Sequence, residues 1–257
     1  ATVTVTDGAT AITQAISVAI TDVDDVAPVI TSSATFSAPE NQTTIGTATA
    51  TDADSSSITF SISGTDLAVT SGGVITFVTA PDFETTPSYT ATLTATDEIN
   101  SSTQSITVNV TDVNEMPTFT SLASFDADEN QTTIGSVTAD DVDSSSITFS
   151  ISGSDLALTS DGTLSFVTAP DYETKSSYSA TVTASDGDLS ATQAITVNVN
   201  NLNDNAPVFT SSASFSSDEN QTSIATVTAS DADDSSLSFS VSGSELLITD
   251  SGALSFA

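Results

Sequence analysis

One segment of this chain returns at a fixed distance, and that repetition constrains the fold more than any other feature. Glu40-Asn41-Gln42-Thr43 recurs as Glu129-Asn130-Gln131-Thr132 and again as Glu219-Asn220-Gln221-Thr222. Pro28, Pro117 and Pro207 keep the same interval, and Ala80-Pro81-Asp82-Phe83-Glu84 is echoed by Ala169-Pro170-Asp171-Tyr172-Glu173. A period of roughly ninety residues is too long for a solenoid coil, so each unit has to be a whole domain with its own core.

Within a unit the apolar residues alternate with period two. Ile58, Phe60 and Ile62 are interleaved with Thr59, Ser61 and Ser63, and Ile106, Val108 and Val110 with Ser105, Thr107 and Asn109. This is the pattern of half-buried strands, and no stretch shows a helical period. Turn residues such as Ser71-Gly72-Gly73 and Asp161-Gly162 punctuate the runs. The first full unit predicts strands near 29–36, 43–52, 58–63, 67–70, 74–78, 89–97 and 103–111. The expected fold class is therefore all-β, a row of seven-stranded Greek-key β-sandwiches of immunoglobulin-like architecture. The expected divisions are 1–27, the last two strands of a repeat; 28–116 and 117–206, complete repeats; and 207–257, the first five strands of another. Such ends suggest a window on a longer array, with the missing strands supplied by the continuing chain.

Charge narrows the function. Asp and Glu number 34 against a single Lys, Lys175, with neither Arg nor His. Phosphate backbones and anionic membrane faces need Lys or Arg to neutralise them, so nucleic acid and direct membrane insertion are excluded for this segment. The chain attracts cations, and many of its carboxylates recur at strand ends and linkers in each unit. Calcium takes six to eight oxygen ligands from such groups, whereas transition metals favour the imidazole and thiolate that this chain lacks. Cys is absent, so no disulfide supports the modules. Paired acids such as Asp82 and Glu84 could be a glycosidase pair, but the same pair repeats in the next unit, and a metal would keep both groups ionised. No enzymatic role is expected. The Asn-Gln-Thr triplets fit the N-glycosylation pattern, although loop chemistry beside the recurring Glu accounts for them.

The motifs, taken in order, resemble the cadherin repeat: a PEN-type Glu, a DxE loop, a DxNDNxP linker, then a DxD pair and a later lone Asp. In that family calcium binds at each junction between repeats. Carried over by position, the resemblance implies a first junction of Asp22, Asp24 and Asp25 with Asp52, Asp54 and Asp97. The middle junction would use Glu40, Asp82, Glu84, Asp112, Asn114 and Glu115 with Asp141, Asp143 and Asp186. The last would use Glu129, Asp171, Glu173, Asn203, Asp204 and Asn205 with Asp231 and Asp233. The linker at 112–117 is one residue shorter than the family pattern, and Asn201 replaces the leading Asp of the last linker.

The resemblance implies an extracellular or cell-surface array stiffened by calcium, acting as a structural filament or adhesive stalk. The alternative is a spacer that presents a distal carbohydrate-binding or cell-binding domain. Expected partners are calcium ions, neighbouring repeats of the same chain and other copies in a filament or matrix. The Ser- and Thr-rich, Cys-free character is similar to the cadherin-like arrays of large bacterial surface and secreted proteins.

Overall fold

The computed structural model describes residues 1–54, 57–234 and 236–257, and its contacts divide the chain into two compact units, Ala1–Val113 and Asn114–Ala257. All regular elements among the described residues are β-strands.

The first unit contains β1 (Thr2–Thr6), β2 (Ala11–Ala15), β3 (Val29–Ile30), β4 (Thr35–Pro39), β5 (Thr44–Thr47) and β6 (Ala50–Thr51). It continues with β7 (Thr59–Ile62), β8 (Leu67–Val69), β9 (Val74–Phe77), β10 (Ser88–Thr96) and β11 (Ser101–Thr111). One sheet runs β4-β11-β10-β7 and the other β5-β9-β8, with the pair β3-β6 beside them. The long hairpin β10-β11 is antiparallel, while β4 lies parallel to β11 with Phe36 opposite Val108.

The two layers close on the alternating residues. Leu93 of β10, Ile106 and Val108 of β11, and Ile75 of β9 are each fully buried, and burying a side chain of this size contributes about 1.5–3 kcal/mol. Phe77 meets Tyr89 edge to face at 5.1 Å at one border of this core. Sandwich architecture thus follows from period-two patterning on strands long enough to cover one another.

The second unit repeats the plan. Its strands are β12 (Thr118–Phe119), β13 (Ser124–Asp128), β14 (Thr133–Ser136), β15 (Ala139–Asp140), β16 (Thr148–Ile151), β17 (Leu156–Leu158) and β18 (Thr163–Phe166). Next come β19 (Ser177–Ser185), β20 (Ser190–Asn200), β21 (Val208–Phe209), β22 (Ser223–Thr226), β23 (Ala229–Ser230), β24 (Leu246–Ile248) and β25 (Ala253–Phe256). The sheets β13-β20-β19-β16 and β14-β18-β17 enclose a second core around Leu164, Val182, Ile195 and Val197.

Two strands expected as single runs are divided. The run near 29–36 is split because Val29–Ile30 pairs with β6 and Thr35–Pro39 with β11, so the chain changes sheet between them. The run near 43–52 is split because Thr44–Thr47 pairs with β9, with a bulge between Thr44 and Gly46, whereas Ala50–Thr51 pairs with β3. At the turn before β9, Gly73 has φ +90°, and an added Cβ would lie 2.4 Å from the Ala48 carbonyl oxygen. Gly162 meets Val137 in the same way at 2.2 Å with φ +91°, so both turns require glycine.

Residues 207–257 depart further from expectation. The counterparts of β13 and β16, near 214–218 and 238–241, are not strands. In the preceding sandwich those strands bond to β20 and β19, and residues 207–257 contain no equivalent hairpin. An apolar hollow of about 540 Å³ stands in its place, lined by Phe209, Phe215, Phe239, Val241 and Leu254. In the same way β1 and β2 pair with each other but leave Val3 and Val5 exposed.

Candidate metal centre

Each full sandwich carries one deeply buried acid in the turn that follows its β4-type strand. Glu40 is 3% exposed and Glu129 2%. Neither faces a cation; each is held by backbone. Oε2 of Glu40 accepts the Phe83 N–H at 2.8 Å and Oε1 the Val113 N–H at 2.9 Å. Glu129 repeats this with Tyr172 at 2.8 Å and Leu202 at 2.7 Å. One carboxylate therefore ties the DxE loop and the linker to the turn, and each oxygen keeps a lone pair free of these bonds.

The tie gathers other acids. In the first unit carboxylate oxygens of Glu40, Glu84 and Asp112 lie within 4.8 Å of one another, and in the second unit those of Glu129, Glu173 and Asp204 do. Burial raises the pKa of Glu173, and its hydrogen bond with Asp233 and the charge of Glu129 act in the same direction. The first acid of each DxE loop does something else. Asp82 accepts the N–H and hydroxyl of Thr85, both at 3.0 Å, and Asp171 binds Thr174 likewise. These two acids shape their own turns, and the Thr174 hydroxyl is the main reason that Asp171 is held below the usual carboxylate range.

The DxD pairs meet the linkers. Asp54 Oδ2 accepts the N–H groups of Asp25 at 3.0 Å and Val26 at 3.1 Å, and Asp233 Oδ2 those of Asp204 at 2.8 Å and Asn205 at 2.5 Å. Asp143 Oδ2 accepts from Glu115 at 2.5 Å. The first Asp of each pair closes the turn, as Asp52 does for the Asp54 N–H, Asp141 for Asp143 and Asp231 for Asp233. Burial works against an ionised Asp233, but the Asn205 side chain and the linker N–H groups outweigh it and lower its pKa.

The lone acids Asp97 and Asp186 each bind two N–H groups of their own turn through Oδ1. Asp186 Oδ2 also accepts Asn114 Nδ2 at 2.9 Å, the main cause of its lowered pKa. Asp24 stands among Asp97, Asp54 and Asp52. Burial and then these charges raise its pKa, and it accepts Asn100 Nδ2 at 3.3 Å. Asp22 and Asn203 are exposed.

Asp54 Oδ1 and Asp97 Oδ2, together with Asp141 Oδ2 and Asp143 Oδ1, are buried without a hydrogen-bond partner among the described residues. Buried anionic oxygens of this kind are costly unless a cation meets them, and oxygen-only donor sets fit calcium.

Two contributors escaped the sequence reading. Asn100 reaches Asp24 and the Val26 carbonyl, but its counterpart in the next repeat is Leu189, so the repeat pattern gave no signal. Asn130, seen in the sequence only as part of a glycosylation triplet, donates Nδ2 to Asp204.

No protein-family model matches the sequence, and no curated protein matches it. Solved structures do. The chain is similar to EC22-24 of mouse cadherin-23, with 24% identity and a TM-score of 0.57 over 90% of this chain and 88% of that one. It is similar to the protocadherin gammaB4 extracellular domain, with 28% identity and a TM-score of 0.58 over 92% of this chain and 45% of that one. Cadherin domains 3-6 of protocadherin gamma B2 match at 24% identity and 0.59, over 98% and 72%. The structural neighbours of this all-β chain are thus tandem cadherin extracellular repeats.

Proposed function

We propose that the chain is part of an extracellular array of calcium-bridged sandwich repeats, 28–116 and 117–206 among them, serving as a structural filament or adhesive stalk at a cell surface of bacterial type. The observation that carries this is the pairing of a carboxylate trio, Glu129, Glu173 and Asp204, with Asp233, whose Oδ2 is bonded to the linker that supplies Asp204. Acids of consecutive repeats thereby converge on one linker, with the orphaned oxygens of Asp54 and Asp97 marking the equivalent place near the first.

When bound, calcium supplies charge neutralisation and a bridge between repeats. The residues that would hold it at the last linker are Glu129, Glu173, Asp204 and Asp233, with Asp231, Asn203 and Asn205 beside them. At the middle linker the sequence correspondence gives Glu40, Glu84, Asp112, Asn114 and Glu115 with Asp141, Asp143 and Asp186. Asp82 and Asp171 would join these sets from their DxE loops, since each oxygen keeps a lone pair beside its bond to Thr85 or Thr174. Without a cation, two carboxylates about 5 Å apart repel by on the order of 3 kcal/mol at an effective dielectric near 20, so the linkers loosen. Extracellular sites of this type fill at ~10⁻⁴ to 10⁻³ M calcium, which suits a place outside the cell. The role is structural rather than catalytic: the acids are engaged with backbone amides and with one another.

Chelation tests the proposal. EGTA should expand the particle in solution scattering while the β-sheet circular dichroism persists, because both core clusters are built from hydrophobic side chains, with the buried acids Glu40, Asp97 and Glu129 in turns outside them. Loss of both signals together, or no response of the scattering to calcium, would overturn it.

A further inference from the structure

Asn130 occupies an unusual backbone position. It follows Glu129 in the turn after β13 with φ +63°, in the left-handed region that Asn tolerates better than most residues. Its N–H donates to the Pro170 carbonyl at 3.0 Å, which joins this turn to the loop bearing Asp171 and Glu173. The bend turns the side chain toward the linker, where Nδ2 donates to Asp204 Oδ2. Asp204 Oδ1 accepts from Asn205 Nδ2 at 3.0 Å, so an amide donor engages each oxygen of that carboxylate. The chain's one Lys, Lys175, is occupied elsewhere, with Asp155 at 2.6 Å and the Tyr178 ring at 4.1 Å.

We propose that Asn130 is a positioning residue for the last linker's cation site: its amide fixes the direction of Asp204 before metal arrives. The inference rests on the calcium reading above. Three carboxylates with no cation among them would otherwise turn away from each other, and a neutral NH₂ donor can hold one in place without competing for the metal by charge. Outer-shell partners of this kind are typically worth about 10–100-fold in metal affinity. The Asn-Gln-Thr triplet here thereby gains a use besides glycosylation, since the nitrogen that would carry a sugar is the one given to Asp204.

The test uses chain 1–257 and calcium alone, titrated by calorimetry and by the amide shifts of residues 202–205. Asn130→Gly keeps the left-handed backbone but removes the donor. The expected result is a 10–100-fold loss of affinity at this linker, with thermal unfolding in EGTA little changed. Asn220→Gly, at the equivalent turn of residues 207–257 and with no side-chain bond to Asp204 among the described residues, should leave calcium binding at residues 202–205 unaltered. On an Asp204→Ala background, Asn130→Gly should have no further effect. Equal calcium affinity in Asn130→Gly and the unmodified chain would overturn the inference while leaving the calcium reading intact. An equal further loss on the Asp204→Ala background would also overturn it, by showing that the residue acts elsewhere. No calcium binding by the unmodified chain would overturn both.

Discussion

Oε1 of Glu129 accepts the N–H of Leu202 at 2.7 Å across a sequence separation of 73 residues. The same carboxylate holds Tyr172, so a residue that resembles a metal ligand also clamps two loops through its own hydrogen bonds. Glu129→Ala should therefore destabilise the second unit even in chelator. Each N–H left unpaired away from water costs about 1–3 kcal/mol. Urea unfolding in EGTA would measure this, and an unchanged midpoint would show that the clamp contributes nothing.

Acid should weaken calcium binding from above the ordinary carboxylate range. Asp24 and Glu173 have raised pKa values, chiefly through burial and then through neighbouring acids. In the metal-free protein their share of stability is present below the normal carboxylate pKa and lost as pH rises through the raised one. Calcium needs them ionised, so affinity should fall by about tenfold per pH unit for each ligand that takes up a proton. Asp54, Asp97 and Asp233 are lowered, and their contribution survives until pH drops below the ordinary range. Calorimetry between neutral pH and pH ~4 would reveal a flat profile if this is wrong.

Asp233→Ala removes the acceptor for two linker N–H groups and one member of the last acid group. Calcium affinity should drop at that linker by more than tenfold, in line with losing a metal-ligating carboxylate, and stay unchanged at the first linker. The amide shifts of residues 22–26 and 202–205 would separate the two.

Gly162→Ala should destabilise the second sandwich by on the order of 1–3 kcal/mol from backbone strain alone, with the Val137 carbonyl contact adding to it. Denaturant unfolding of the variant would show the shift, and Gly73→Ala should do the same in the first unit.

In hydrogen exchange of chain 1–257, amides near 214–218 and 238–241 should be far less protected than those of β13 and β16. The sequences are close counterparts, but only the latter pair with a long hairpin. Comparable protection would mean that another segment closes the apolar hollow.

These contrasts separate what was written in the sequence from what was not. Period-two patterning and the repeat were enough to give an all-β sandwich with Ile106, Val108 and Val110 in its core, because alternation and burial are local consequences of the pleat. The turn glycines and the acid clusters at loops were legible for the same reason: each is a property of one short segment. Tertiary structure alone decided where the chain changes sheet between Ile30 and Thr35, since β3 and β4 are set apart by the strands they pair with, β6 and β11. It also decided that Asp82 serves its own turn while Glu84 joins Glu40, and that Asn130 reaches Asp204 across 74 residues. A hydrogen bond depends on direction and distance between groups far apart in the chain, and residue type fixes neither until the sheets have brought them together.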